Sequence, residues 1–571
     1  MPIQLKVKTE YSFGKTYAPI SRLVEVLKEQ GTTAAAIVDN SSWGHFYWER
    51  ACREAGIKPM FGMELVVDDS DTTTRKMWFI ARNREGLTEL YAAATKAHTQ
   101  PGAWNLPRLY VSDVEAMSVN ILVFSGDYYE EDIIDRTRAL LDVNPSSKLL
   151  RSRKERLAKK YDERLIPTCD NAYAHPDDRV SFQLISGRGH KPTIQHLIPI
   201  VNKDVQEVAD LVEPFNLKIA PDLESDDEDL WRVCRNGAHS RKVMWDDVYE
   251  ARLKRELGLI YDKNFQAYFM IVADMVNYAK QHMLVGPSRG SAAGSLVCYL
   301  TGITEVDPIK HNLFFERFID ENRSDMPDID LDFPDNKRHL VHEYMRDKYG
   351  SARVAQLGTV IKYKPKSALI QACKRLNISP LATWAVKDAM IERSSADSRV
   401  TDCLLDTLDN TVPGQTFIKQ YPEAKLACNI EGHSSHTGKH AAGLIVAPTP
   451  MCEYAVVDET GVAHLDKTAA ESLNLLKIDI LGLRTLTILE DVEADIDWYN
   501  LPLDDEKTYQ VFNDQKLCGI FQFEGISMRS QAAQMHFNSI REVDAITALA
   551  RPGPFSSGVT EKFLARHGGG S

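Results

Sequence analysis

Along residues 1–197 the apolar positions alternate between helical and strand-like patterns. The stretch Ser21-Arg-Leu-Val-Glu-Val-Leu-Lys-Glu-Gln-Gly31 repeats its apolar residues at helical spacing, with a serine placed to cap it and a glycine to stop it. The continuous apolar run Ala34–Val38 follows and ends on Asp39, the pattern of a buried strand. A second helical stretch leads to another strand-like run, Ile57–Val67. This succession predicts an α/β layered or barrel-like domain. Residues 198–285 read as mostly helical around an acidic loop at 224–229, and a helix over Phe265–Met283 runs into a glycine-rich turn. Residues 360–434 read as helical and basic, and 438–481 hold a glycine-rich return and two strand-like runs. Residues 485–571 are mixed and end in Arg566-His-Gly-Gly-Gly-Ser571, which has the composition of a linker.

With 571 residues, the chain exceeds the ~250–300 residues that one core usually serves, so about three to four domains are expected. Hydrophobic residues make up 43% and charged residues 26%, which excludes a disordered, collagen-like or coiled-coil chain. No uncharged apolar stretch approaches the ~18 residues of a membrane span. The start, MPIQLKVKTEYSFG, lacks a signal peptide's apolar core. The nine cysteines include no CxxC pair and read as reduced thiols of a cytoplasmic protein. A net charge of −13 argues against a simple nucleic-acid coat. Local charge says more: Lys337, Arg338, Arg346, Lys348, Arg353, Lys362, Lys364, Lys366, Lys374 and Arg375 gather within 337–375. Such a stretch is either a solvated face or a basic groove of a nucleic-acid enzyme.

Three motifs carry candidate chemistry. In Met326-Pro-Asp-Ile-Asp-Leu-Asp-Phe333, a strand would place Asp328, Asp330 and Asp332 on one face and Ile329, Leu331 and Phe333 on the other. Same-face neighbours lie ~6.6–7 Å apart, close enough for two carboxylates to bridge hard cations ~3.5–4 Å apart. A calcium loop does not fit, because Phe333 stands where glycine and His339 where glutamate is required. Asp479, alone among the apolar residues of Leu475–Leu481, is a second candidate, since a buried acid is usually paired or metal-bound. In Gly286-Pro-Ser-Arg-Gly-Ser-Ala-Ala-Gly-Ser295, a glycine-rich turn enters an apolar helix. Arg289, Gly290, Ser291 and the first N–H groups of that helix are placed to receive phosphate. It is not a Walker A loop. His433, His436 and His440 suggest zinc, but their spacing is irregular and nothing completes the set. Lys439 and His440 fit better as donors to phosphate.

In order along the chain, GPSRGSAAGSLV, DPIKHNLFFERF, MPDIDLDF, GKHAAGLIVAP, KIDILGLRTLTI, GIFQFEG and ALARPGP resemble the C-family replicative DNA polymerases, the alpha subunits of bacterial DNA polymerase III. The resemblance spans nearly the whole chain. It implies an α/β multidomain protein: a PHP-like domain over 1–197, a polymerase-beta-like palm over 198–359 and 435–484, a thumb over 360–434 and the start of the fingers over 485–571. It implies template-directed nucleotidyl transfer from dNTP to a primer 3′-hydroxyl. Asp328, Asp330 and Asp479 would hold two Mg²⁺, with Mn²⁺ as substitute. Arg289, Gly290, Ser291, Lys439, His440 and Arg551 would face the nucleotide. Primer–template DNA and dNTPs are the implied partners, with a sliding clamp and other replisome proteins beyond them. A bacterial nucleoid or a phage-infected cell is the implied setting. Lys362, Lys364 and Lys366, read as one extended run, would grip the DNA backbone.

The chain departs from the family pattern where a metal-binding PHP domain would begin. Lys6-Val-Lys8 stands in place of His-x-His before Thr9-Glu-Tyr-Ser12, and Asp39-Asn40 in place of Asp-His. Asp39 and Glu64 alone are too few for a metal cluster, so a domain without nuclease activity is expected. Ala550 replaces the tyrosine before Arg-Pro-Gly-Pro. Family members usually continue beyond the fingers, so a fragment, a split-polymerase half and a small polymerase all remain as readings. A PHP-type phosphoesterase or 3′–5′ exonuclease is the other enzyme class.

Overall fold

The computed structural model describes the chain except residues 69–74, 101–105, 145–147, 162, 187–195, 224–228, 322–326, 394–401, 493–495, 499–500, 552–553, 555–556 and 568–571. Most of the expected acidic loop and all of the terminal tail lie outside the described residues. Two compact units form. The first comprises 1–227, 266–268 and 342–480, and the second 228–265, 269–341 and 481–571.

In the first unit, β1 (Ile3–Val7), β2 (Ala34–Asp39) and β3 (Lys58–Asp68) run parallel. β4 (Lys76–Ala81) pairs antiparallel with β3, β5 (Arg108–Tyr110) runs parallel to β3, and β6 (Ile121–Phe124) pairs antiparallel with β4. A small parallel pair, β7 (Leu141–Val143) and β8 (Leu165–Pro167), lies apart. Every residue of β2 is buried, which explains its unbroken apolar run. The expected helix is Ile20–Glu29, but Ser21 does not cap it. Pro19 occupies the cap position, and its ring presets the backbone for helix entry.

β9 (Asp330–Pro334) belongs to the second unit. The first unit's other sheet runs β12 (Val462–Ala463), β10 (Val354–Lys362), β11 (Ser434–Val446), β13 (Leu476–Leu483). β10 and β13 both pair antiparallel with β11, and Gly443 stands opposite Asp479. Trp43 fills a notch on this sheet: a Cβ on Gly358 of β10 would collide with its ring. Ser42 Oγ accepts the Val456 N–H at 3.1 Å and Tyr47 donates to Asp466 at 2.6 Å. One apolar core runs through both sheets, from Ile37, Phe61 and Phe79 to Leu357, Ile445 and Leu475.

Between β10 and β11 the chain is helical, as its pattern predicts. Pro365–Arg375, Cys403–Asn410 and Val412–Gln420 pack Leu369, Leu404, Leu408 and Phe417 together with Leu184 and Ile185 of the Arg179–Ser186 helix.

The second unit is mainly helical. Leu230–Ser240, Asp247–Asp262 and the short Leu296–Leu300 precede β9, and Arg484–Asp491 follows β13. Four later helices enclose Tyr509, Phe512, Phe523, Met528 and Phe537. Among the described residues no helix is long and apolar enough to cross a membrane.

Glu431 accepts the Leu404 N–H at 3.0 Å, at the entry of the Cys403–Asn410 helix, and burial pushes its carboxyl up to about 7. The folded state therefore keeps a proton that the unfolded state releases at about pH 4.3. Its contribution to stability is full below that value and is lost as pH rises through about 7. Glu431→Gln, neutral throughout, should lose less stability than wild type between about pH 5 and about pH 8. Denaturant titrations across that range measure this, and equal pH slopes in the two proteins would contradict it.

Candidate active site

The carboxylate stretch alternates as its pattern predicts. Ile329, Leu331 and Phe333 are buried at 0%, 3% and 0% exposure, and the acids take the opposite face. The strand is shorter than expected: β9 starts at Asp330, so exposed Asp328 precedes it. Met326 lies outside the described residues.

Asp332 differs from its neighbours. It is buried, and Arg289 Nη1 donates to its Oδ1 at 3.0 Å. Burial raises its carboxyl above the ordinary range and Arg289 pulls it back. Its backbone carbonyl accepts the Gly286 N–H at 2.9 Å. Asp332 thus ties the glycine-rich turn to β9, and Arg289, expected to serve phosphate, is partly committed to it.

Gly290 to Gly294 form a 3-10 turn with Arg289 before it. Gly290 has φ +64°, and a Cβ there would lie 3.2 Å from Asp330 Oδ2. A side chain at this position would be strained and pressed on the carboxylate. The turn and Asp330 are therefore immediate neighbours within the second unit. The first N–H groups of such a turn lack intrahelical partners, and Ser291 is half-buried beside them.

The helix behind the turn does not receive phosphate as expected. Glu256, fully buried on the Asp247–Asp262 helix, already takes the Leu296 N–H at 2.9 Å, the Val297 N–H at 3.1 Å and the Ser295 hydroxyl at 2.9 Å. Ser295 Oγ accepts the Cys298 N–H at 3.1 Å. Arg252 donates to Glu256 at 2.6 Å and also to the carbonyls of Gly294 and Leu313. Burial raises the Glu256 carboxyl, opposed by those backbone donors and by Arg252. An internal carboxylate occupies the anion position of this helix end, leaving the turn itself as the open donor set. The sequence pattern misses Glu256, which lies far along the chain from the turn it holds.

In the first unit, Asp479 on β13 is buried. Lys477 Nζ donates to its Oδ2 at 2.5 Å, and among the described residues its buried Oδ1 has no hydrogen-bond partner. Lys477, two residues away on the same face of the strand, is legible in the sequence as Lys-x-Asp. Lys439 is exposed on β11 opposite Gly358. His440 Nδ1 accepts the Gly443 N–H at 2.8 Å, so its ring braces the residue that stands opposite Asp479. His433 is buried and His436 exposed. Among the described residues, these histidines form no metal-ligating set.

β13 continues into the second unit at Leu481–Leu483, and the helix after it is tied to the end of β9. Asp335 N donates to Thr487 Oγ1 at 3.1 Å, and that hydroxyl donates to Asp335 Oδ1 at 2.5 Å. Asp328 and Asp330 belong to the second unit and Asp479 to the first. A buried carboxylate oxygen without a donor is costly, so the open oxygen of Asp479 is a candidate ligand for a cation.

Two other placements differ from expectation. Lys362, Lys364 and Lys366 do not share an extended run: β10 ends at Lys362, Lys364 caps the next helix and Lys366 lies in its first turn. Pro365 imposes the change, being suited to a first helical position. All three remain exposed, with Lys366 paired to Glu392 at 2.7 Å. Arg551 is exposed, and most of the Arg-Pro-Gly-Pro motif lies outside the described residues.

At the start of the chain the residues do not fit a metal cluster. Lys6 and Lys8 reach Glu64 at 2.8 and 3.2 Å, and Lys76 reaches it at 2.8 Å. Burial works against these charges, yet the carboxylates of Glu64 and Asp170 hold both Lys6 and Lys8 above the ordinary lysine range. Protonated ammoniums have no lone pair for a metal. Asp39 is spent on Thr9 and Ser12.

Residues 228–482 match the family described as bacterial DNA polymerase III alpha NTPase domain, 480–571 its finger domain, and 4–177 the PHP domain. Together these matches run through nearly the whole chain in the order the motifs predict. The chain belongs to the bacterial DNA polymerase III alpha family. It is 29% identical to the DNA polymerase III subunit alpha of Aquifex aeolicus over 691 aligned positions, covering 99% of this chain and 59% of that relative. It is 28% identical to that of Bacillus subtilis over 624, covering 97% and 55%. The chain thus spans little more than half the length of these relatives. The mixed α/β multidomain architecture agrees with the fold expected from the sequence.

Replacing Glu256 by alanine would strand Arg252 and the donors at Ser295, Leu296 and Val297. Removing one partner of a buried ion pair costs about 3–5 kcal/mol. Urea unfolding of Glu256→Ala should show a loss of that order, and a change below about 1 kcal/mol would mean that the clamp is not needed.

Proposed function

We propose that the chain is the catalytic core of a template-directed DNA polymerase, joining dNTPs to a primer 3′-hydroxyl. The observation that carries this reading is the contact between the Gly290 turn and Asp330, which sets phosphate donors against a candidate metal carboxylate. Asp328, Asp330 and Asp479 are the residues that would hold two Mg²⁺, or Mn²⁺ in their place. Bound there, such ions supply charge neutralisation for the transferring phosphoryl group and lower the pKa of the attacking hydroxyl.

The chain's own residues would do the remaining work. The backbone N–H groups at Gly290 and Ser291 would orient the triphosphate, with exposed Lys439 as a further cation. Arg289 would lend the face of its guanidinium not spent on Asp332. His440 would keep β11 in register beside Asp479. Phosphoryl transfer asks mainly for positioning and charge stabilisation, which these groups can provide without a covalent intermediate. Template pairing would choose the base. The 360–434 segment would serve as thumb, 485–571 as the start of the fingers, and Arg551 would face nucleotide or template. Primer–template DNA is the proposed substrate, and a sliding clamp a proposed partner of the wider assembly.

Asp330→Asn should abolish nucleotide incorporation while leaving the thermal midpoint and DNA affinity largely intact. Primer extension beside a DNA-binding assay measures this, and near-normal extension would overturn the assignment. The thumb reading is checked by salt dependence. With Lys366 engaged by Glu392, alanine at Lys362, Lys364 and Lys366 should flatten the slope of log affinity against log salt by about 2 units, one for each phosphate left without its lysine. An unchanged slope would discard the grip.

A further inference from the structure

Asp332 stands on the same face of β9 as Asp330, two residues along the strand. Consecutive residues of the glycine-rich turn meet these two acids one for one. Arg289 Nη1 donates to Asp332 Oδ1 at 3.0 Å, and the next residue, Gly290, is the one whose Cβ would lie 3.2 Å from Asp330 Oδ2. The Gly286 N–H adds its 2.9 Å bond to the Asp332 carbonyl, and a Cβ on Gly286 would lie only 2.9 Å from that of Asp332. The turn is therefore held along the strand in one register, and Asp332 is the residue it touches at both Gly286 and Arg289.

A metal ligand is a poor description of Asp332. The Arg289 guanidinium already sits against its oxygen, and a metal ion brought to the same carboxylate would meet that positive charge. Among the described residues, no carboxylate cluster able to hold a metal includes Asp332. A plain structural ion pair leaves the arginine unexplained. Asp332 is buried, yet the Arg289 side chain is 42% exposed. A guanidinium carries about five N–H donors in a rigid, planar fork. Fixing one edge of that fork on a buried carboxylate fixes the direction of the other edge, which stays open to a ligand beside the Gly290 turn.

We propose that Asp332 is a positioning residue for the triphosphate, acting through Arg289. It holds one edge of the guanidinium so that the other edge meets the phosphates received by the Gly290 and Ser291 N–H groups, and it keeps the turn in register with Asp330. The proposal rests on the polymerase reading, because a dNTP is the ligand that the turn would receive. Without Asp332 the arginine is free to rotate. The loss then falls on triphosphate binding, not on turnover or metal use, and shows as a raised KM with little change in kcat.

The test follows primer extension by the full chain, with dNTP and Mg²⁺ titrated separately. Beside it, the Kd of a fluorescent dNTP is read by anisotropy on the chain bound to a primer–template that ends in a dideoxynucleotide. Asp332→Ala should raise the dNTP KM and Kd about tenfold, lower kcat by less than about threefold and leave the half-saturating Mg²⁺ concentration unchanged. Asp332→Asn keeps an acceptor for the guanidinium and should hold the rise to about threefold. Arg289→Ala should raise KM and Kd at least as far as Asp332→Ala, and either Asp332 variant added to it should cost nothing further. If Asp332→Ala fails to fold, the Asp332→Asn comparison with and without Arg289 decides. An unchanged KM in the folded Asp332 variants, a raised Mg²⁺ requirement or additive losses in the double variant would overturn the proposal. Wild type that binds the dNTP through Arg289 and Asp332 without extending a primer would overturn the polymerase reading and leave the positioning role standing, and wild type that does neither would overturn both.

Discussion

A carboxylate withdrawn from water must meet donors or a cation, because its charge is otherwise too costly to bury. The buried acids of this protein meet that demand in different ways. Glu256 is met by Arg252 and by the N–H groups at a helix start, and so becomes the anchor of the glycine-rich turn. Asp332 is met by Arg289, which joins that turn to β9. Glu64 is met by lysines. Asp479 is met on one oxygen by Lys477 and on the other by no donor among the described residues. Acids with complete internal neutralisation hold the scaffold. Asp479 keeps one oxygen open, as Glu431 does at a helix entry, so among the described residues an open oxygen marks an acid that its own neighbours leave incompletely neutralised.

The N-terminal α/β segment has a place in the same scheme. Its β-sheet core is continuous with that of the β10–β13 sheet, and Trp43 sits in the notch left by Gly358. β10 sets the register of β11, and β11 sets that of Asp479. Tyr47, Ser42 and Lys218 add polar contacts to Asp466, Val456 and Glu453. Ammoniums in place of metal ligands leave this segment's structure intact, because Lys6 and Lys8 supply the positive charge that Glu64 and Asp170 require. Losing a metal site therefore need not loosen the sheet that supports Asp479.

Much of this is legible in the sequence where one short period governs the outcome. The alternation in Ile329–Phe333, the buried run at Ala34–Val38 and the helical character of 360–434 follow from local spacing, and they stand in the structure. Local spacing fails where a stronger neighbour intervenes. Ser21 has a capping side chain, but Pro19 fixes the entry first. Lys362, Lys364 and Lys366 look like one edge until Pro365 starts a helix between them. The helix start after Ser295 looks open to phosphate until Glu256 arrives from another helix. Such tertiary partners leave no mark on local periodicity.

Lys477 shows how far a period-2 reading can be taken. The rule that aligns Asp328, Asp330 and Asp332 also places residue 477 on the face of Asp479. A lysine there, inside an otherwise apolar strand, is itself unusual, since lysine is rarely buried without a partner. Read together, Lys-x-Asp predicts an internal ion pair, and the 2.5 Å contact is that pair. The ammonium steadies one carboxylate oxygen and leaves the other directed elsewhere, so an acid at the centre of a sheet can be held in place without being fully satisfied. That division lets a buried strand hold an acid whose second oxygen stays open.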